Sequence, residues 1–127
     1  MNRKYHWAVL LFFALSCGKI LDVNSHPEMI GRWGATDVVN SNYEELTFKE
    51  DGHAEYLSNG YTRKAKARIN AHHIWISDHR FRIISLPQTD TSFHTTDTSF
   101  ENPPVMMELE TPAVDGRHDL KFYKYKH

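Results

Sequence analysis

The feature that most constrains this chain is a residue period of two, interrupted again and again by tight-turn signals. Across Arg63–Asn70, the cations Lys64, Lys66 and Arg68 alternate with Ala65, Ala67 and Ile69. An extended strand sends successive side chains to opposite faces, so this pattern describes a strand with one wet and one buried face. Similar patterns mark Glu44–Lys49 (Leu46 and Phe48 inward), His53–Leu57 (Ala54 and Tyr56), His72–Ser77 (Ile74 and Ile76) and Arg80–Leu86 (Phe81 and Ile83). Gly31–Val39, carrying Trp33, opens the series; Val105–Glu110 and Asp119–Lys126 close it. Asp51-Gly52, Asn59-Gly60 and Asp115-Gly116 are pairs that tolerate positive φ and so suit hairpins.

Eight short strands in sequential hairpins predict an all-β domain, an eight-stranded antiparallel up-and-down meander. Closing that meander into a barrel removes exposed edges. The inward set mixes large Trp33, Phe48, Tyr56, Phe81, Met107 and Phe122 with small Ala35, Ala54, Ala65 and Ala67. An eight-stranded barrel is either just filled by side chains or holds one small ligand. The six large residues are therefore candidates for core or for cavity wall, with a packed core expected. Residues 87–104 break the rhythm. Pro87 is expected to end a strand, and Thr-Asp-Thr-Ser-Phe occurs at both 89–93 and 96–100. These residue types favour loops, which leaves Phe93 and Phe100 as candidate exposed contacts.

The N-terminus follows a different logic. Arg3 and Lys4 precede an uncharged run, Trp7–Leu15, then Ser16, Cys17 and Gly18. A basic start, a short apolar stretch and a small-residue cleavage zone describe a secretory signal peptide, here a helix over 1–16. The run is shorter than the about 20 residues a bilayer span needs. Cys17 is the single cysteine of the chain, so no intrachain disulfide can form. "Ala14-Leu15-Ser16-Cys17" resembles the lipobox of bacterial lipoproteins. The resemblance implies a diacylglyceryl group on the Cys17 thiol and cleavage just before it. Each buried methylene contributes about 0.8 kcal/mol, and two or more chains anchor stably. By analogy with enteric bacteria, Gly18 in place of Asp favours the outer membrane. Residues 17–28 are expected to form a lipidated flexible tether, and 29–127 the domain.

A second resemblance lies inside the domain. "Met29-Ile30-Gly31-Arg32-Trp33", followed by "Leu46-Thr47-Phe48-Lys49-Glu50-Asp51-Gly52", is similar to the opening of small lipocalin-like domains in bacterial lipoproteins. That likeness implies that Gly-x-Trp starts the first barrel strand and that the Trp packs across one end.

Other chemistry finds little footing. Fifteen basic residues stand against 16 acidic ones over 127 residues, and loss of the leader removes Arg3 and Lys4. The mature chain is mildly acidic, without the basic excess of a nucleic-acid binder. His72, His73 and His79 cluster around one hairpin, but neighbours on a strand face opposite ways, and zinc needs three or four converging ligands. No G-x-S-x-G, HExxH or Gly-rich phosphate loop occurs. Glu44, Glu45, Glu55, Glu108 and Glu110 fall mostly on the outer face, not across a cleft as a glycosidase requires. The expected protein is a non-enzymatic envelope lipoprotein without cofactor or metal, held to a membrane through Cys17. Its role is binding or structural, through a protein partner; the alternative is a carrier of a small apolar ligand. Lys64, Lys66 and Arg68 form a basic stripe suited to a solvated face, an anionic lipid or an acidic partner.

Overall fold

The computed structural model describes residues 19–37, 42–91, 98–113 and 116–126. Residues 1–16, expected to form a leader helix, and Cys17, Phe93 and Asp115 lie outside them. Among the described residues there are nine strands: β1 (Leu21–Asp22), β2 (Gly31–Asp37), β3 (Asn42–Phe48), β4 (His53–Ser58), β5 (Tyr61–Ile69), β6 (His73–Ile76), β7 (His79–Thr89), β8 (Val105–Ala113) and β9 (Gly116–Lys124). From β2 to β9 every strand pairs antiparallel with the next. β9 returns to β2 through Trp33↔Lys124 and Gly34↔Tyr123, closing an eight-stranded up-and-down barrel.

The turns form where their residues permit. Asn59 (φ 53°) and Gly60 (φ 79°) both adopt left-handed backbone, which matches the twist of the strands they join. At the β3–β4 corner the Gly52 N–H donates to Lys49 O at 3.0 Å and the Lys49 N–H to His53 O at 2.9 Å.

Three details depart from the sequence reading. β7 runs through Pro87 to Thr89. Pro87 lacks an N–H, but the β7–β8 register slips between Ile83 and Ser85 and again between Ser85 and Gln88, so Pro87 sits where no ladder partner is needed. The second difference is at the other end of the domain. Residues 21–28 do not belong to a flexible tether. Leu21 pairs with Ile69 and Asp22 with Arg68, continuing along the β5 edge beyond the His53↔Lys66 pair where β4 begins. Two 3-10 turns follow, Val23–Ser25 and Pro27–Met29, and Val23 and Met29 are fully buried. The Asn24 amide nitrogen donates to Glu50 O at 3.0 Å, fastening this segment across the β3–β4 corner.

The third difference concerns the loop after β7. The Asp90 N–H donates to Pro104 O at 2.8 Å, and residues 99–101 lie along the end of the chain: Lys126 N–H to Ser99 O at 2.9 Å, Glu101 N–H to Lys124 O at 3.2 Å. Phe100 is not an exposed contact. It is half-buried and stacks on Tyr125 at 4.5 Å between ring centroids.

The core is the barrel interior. Trp33, Tyr56, Phe48, Phe81, Phe122, Met29 and Met107 are among its largest fully buried side chains. The outer wall carries Lys64, Lys66, Arg68, Arg80, Arg82 and Lys121, all exposed. Apolar inside and charged outside is the inverse of a membrane-spanning barrel, whose outer band meets lipid. Among the described residues no helix is long and apolar enough to cross a membrane.

Candidate functional site

The six large inward residues come from six different strands and meet in one cluster. Trp33 (β2), Phe48 (β3), Tyr56 (β4), Phe81 (β7), Met107 (β8) and Phe122 (β9) are each no more than 2% exposed. Small Ala35, Ala54 and Ala67 are buried among them, and Ala65 packs at the margin. Tyr56 and Phe81 meet edge to face at 4.9 Å, the offset that aromatic quadrupoles prefer. At one end of the barrel, Met29 and Val23 from the 3-10 turns join this cluster. Trp33 lies there too: its indole N–H donates to Met29 O at 2.9 Å, and Lys124 Nζ sits 5.5 Å from its ring centre.

The opposite mouth is more polar. Glu44 is only 5% exposed, the exception to the outward placement expected of the glutamates. It sits at the start of β3, two residues before inward Leu46, so the same alternation turns it inward. The Tyr56 hydroxyl donates to Glu44 Oε1 at 2.5 Å. Burial, then the Glu44 carboxylate, pushes the Tyr56 phenol well above the ordinary tyrosine range. His79 stands edge-on to Tyr56 at 5.4 Å. Its Nδ1 lies 3.0 Å from Asp78 Oδ1 but out of line for a hydrogen bond, and that atom is shielded from solvent. Fully buried Thr111 completes the lining, its hydroxyl donating to His118 O at 3.4 Å. A carboxylate, a phenol and an imidazole share this mouth. Its chemistry is hydrogen bonding and charge pairing at the rim of an apolar core.

The three histidines singled out in sequence separate in space. His79 faces the mouth, whereas His73 lies on the outer wall beside Trp75, 5.6 Å between ring centres. Burial, then Arg80 and other nearby cations, holds the His73 imidazole below its usual range. Among the described residues no three His, Cys, Asp or Glu side chains converge in a way that could hold a metal ion.

A second polar cluster sits outside, across the β2–β9 seam. Arg32 donates from Nε to Glu45 Oε1 at 2.5 Å and from Nη2 to Oε2 at 3.0 Å. The Tyr43 hydroxyl donates to the same carboxylate at 2.8 Å and also bonds the Tyr125 hydroxyl. The Arg32 guanidinium lies 4.4 Å from the Tyr125 ring centre, a cation–π distance. Gly34 makes this possible, because a Cβ there would stand 2.6 Å from Tyr125 Oη and 2.8 Å from Tyr43 Oη. The Arg32 hydrogen bond holds the Glu45 carboxyl below its usual range; burial, then Tyr125, raises Tyr43. Sequence reasoning missed this cluster. Its one legible sign was the second glycine of "Gly31-Arg32-Trp33-Gly34", three residues after the first.

Fold and interior together define a small up-and-down β-barrel with a side-chain-filled centre. Compared with known proteins, the chain matches no family model, no curated protein and no solved structure.

Proposed function

We propose that this protein is a lipoprotein of the bacterial cell envelope, acylated on Cys17 and directed to the outer membrane by Gly18, and that its barrel acts by surface contact and without catalysis. The observation that carries the contact reading is the occupied interior. Side chains from the barrel strands meet at its centre, and Met29 closes on Trp33 at one end. An eight-stranded barrel filled in this way has its recognition surface outside. The alternative, a carrier of a small apolar ligand, calls for a cavity of several hundred Å³.

Two experiments separate these readings. Titration with a fluorescent fatty-acyl probe is expected to give no saturable binding; a stoichiometric, saturable site would favour the carrier. Replacing Cys17→Ala and fractionating cells is expected to release the protein from membranes. Full retention of the variant would remove lipid on Cys17 as the anchor.

A further inference from the structure

We infer that the outer wall of β5, β6 and β7 docks side-on against an anionic lipid surface. This rests on the Cys17 anchor and adds to it an orientation. Asp22, Arg68, Trp75 and Arg80 form a single cross-strand row over β1, β5, β6 and β7, each residue directly opposite the next. Lys66 and Arg82 stand in the adjoining rows. The chain enters the barrel at this same row. Gly18, Lys19 and Ile20 alone separate Cys17 from Leu21, a reach of at most about 14 Å when extended. Ile20 is 47% exposed, an apolar side chain at the point of entry.

The charges suit an anionic surface. Six cations, Lys49, Lys64, Lys66, Arg68, Arg82 and Arg117, share three carboxylates in their ion pairs. Asp22 lies 3.2 Å from Lys66 and 3.8 Å from Arg68. Glu55 lies 3.1 Å from Lys49 and 3.6 Å from Lys64. Glu110 lies 3.1 Å from Arg82 and 3.8 Å from Arg117. Asp119 faces the same wall from β9, opposite Glu110. Arg80 is exposed and pairs with no carboxylate among the described residues. Half-buried Trp75 lies between Arg68 and Arg80. Indole rings favour the headgroup level of a bilayer, and each nearby Lys or Arg strengthens attachment to anionic lipid severalfold.

The test uses protein extracted from expressing cells and reconstituted on phosphatidylcholine vesicles, with or without phosphatidylglycerol, carrying a headgroup spin label. Trp75 fluorescence is read against buried Trp33, with Trp75→Phe as the control. Quenching of Trp75 is expected to appear with phosphatidylglycerol and to fade at about 0.5 M salt. Arg80→Gln combined with Arg82→Gln is expected to shift the docking equilibrium about thirtyfold toward the undocked state. Quenching that ignores phosphatidylglycerol, or survives the double substitution unchanged, overturns the docking face. The mass of Cys17 in the same sample keeps the two claims apart. An acylated chain whose Trp75 never meets the quencher overturns docking and leaves the anchor standing. An unacylated chain that still docks through Arg80 does the reverse.

Discussion

At the scale of single residues, Tyr56 and Gly34 each hold more than their own place. The Tyr56 hydroxyl serves a carboxylate at the inner edge of the barrel. Hydrogen bonds to charged groups contribute about 1.5–3 kcal/mol, so Tyr56→Phe should destabilise by that order in urea unfolding. Its pH signature follows from the raised phenol. Folding favours the protonated form, so this contribution is complete below the ordinary tyrosine value of about 10 and is lost as pH rises beyond it. The alkaline arm of the stability profile should therefore flatten in Tyr56→Phe. Glu45 behaves oppositely. Its lowered carboxyl contributes above the ordinary Glu value of about 4.3 and loses that contribution as the pH falls through its folded-state value. Glu45→Gln should lower stability at neutral pH and shrink the acid-side decline. Gly34→Ala forces a methyl against two tyrosine hydroxyls. Overpacking of this kind costs about 1–3 kcal/mol, and a drop in thermal midpoint reads it directly. Tyr125 can swing away only by leaving Phe100 and Arg32.

At the scale of elements, the strands were legible and the additions to them were not. Every one of β2–β9 overlaps a segment read as a strand, most clearly where one wet face alternates with one dry face, as in β5. Boundaries drifted where that contrast fades: β5 begins at Tyr61, where even inward-parity residues are exposed. The short β1 escaped because Leu21–Asp22 is too brief to display a period. Val23 and Met29 are buried through 3-10 turns, which carry no alternation at all. Pro87 misled because its prohibition applies to paired positions, and the register slips of β7 free it from pairing. The six core residues were readable from parity alone. Glu44 obeyed the same parity but is polar, so its inward position needed the three-dimensional closure to make sense. Met29→Ala tests the N-terminal segment as part of the fold. It should cost about 2–5 kcal/mol, as buried Met truncations do, in denaturant unfolding. A cost near zero would mean that the segment is only laid on the surface.

At the scale of the whole molecule, a closed barrel with a filled centre is joined to a cysteine a few residues from its wall. Among the described residues no pairing edge of the barrel proper is left open, and the charged exterior is unsuited to the bilayer interior. On the proposed reading, attachment comes from the N-terminal side. The short connection would then make anchoring and orientation parts of one arrangement, with the lipid arriving beside Trp75 and its flanking arginines. The measurement that tests this most directly is the intact mass of the protein extracted from membranes. The expected species is a chain beginning at Cys17 and heavier than its polypeptide by a diacylglyceryl group, with or without a further acyl chain. A chain retaining Met1–Ser16, or one beginning at Cys17 with an unmodified thiol, would contradict it.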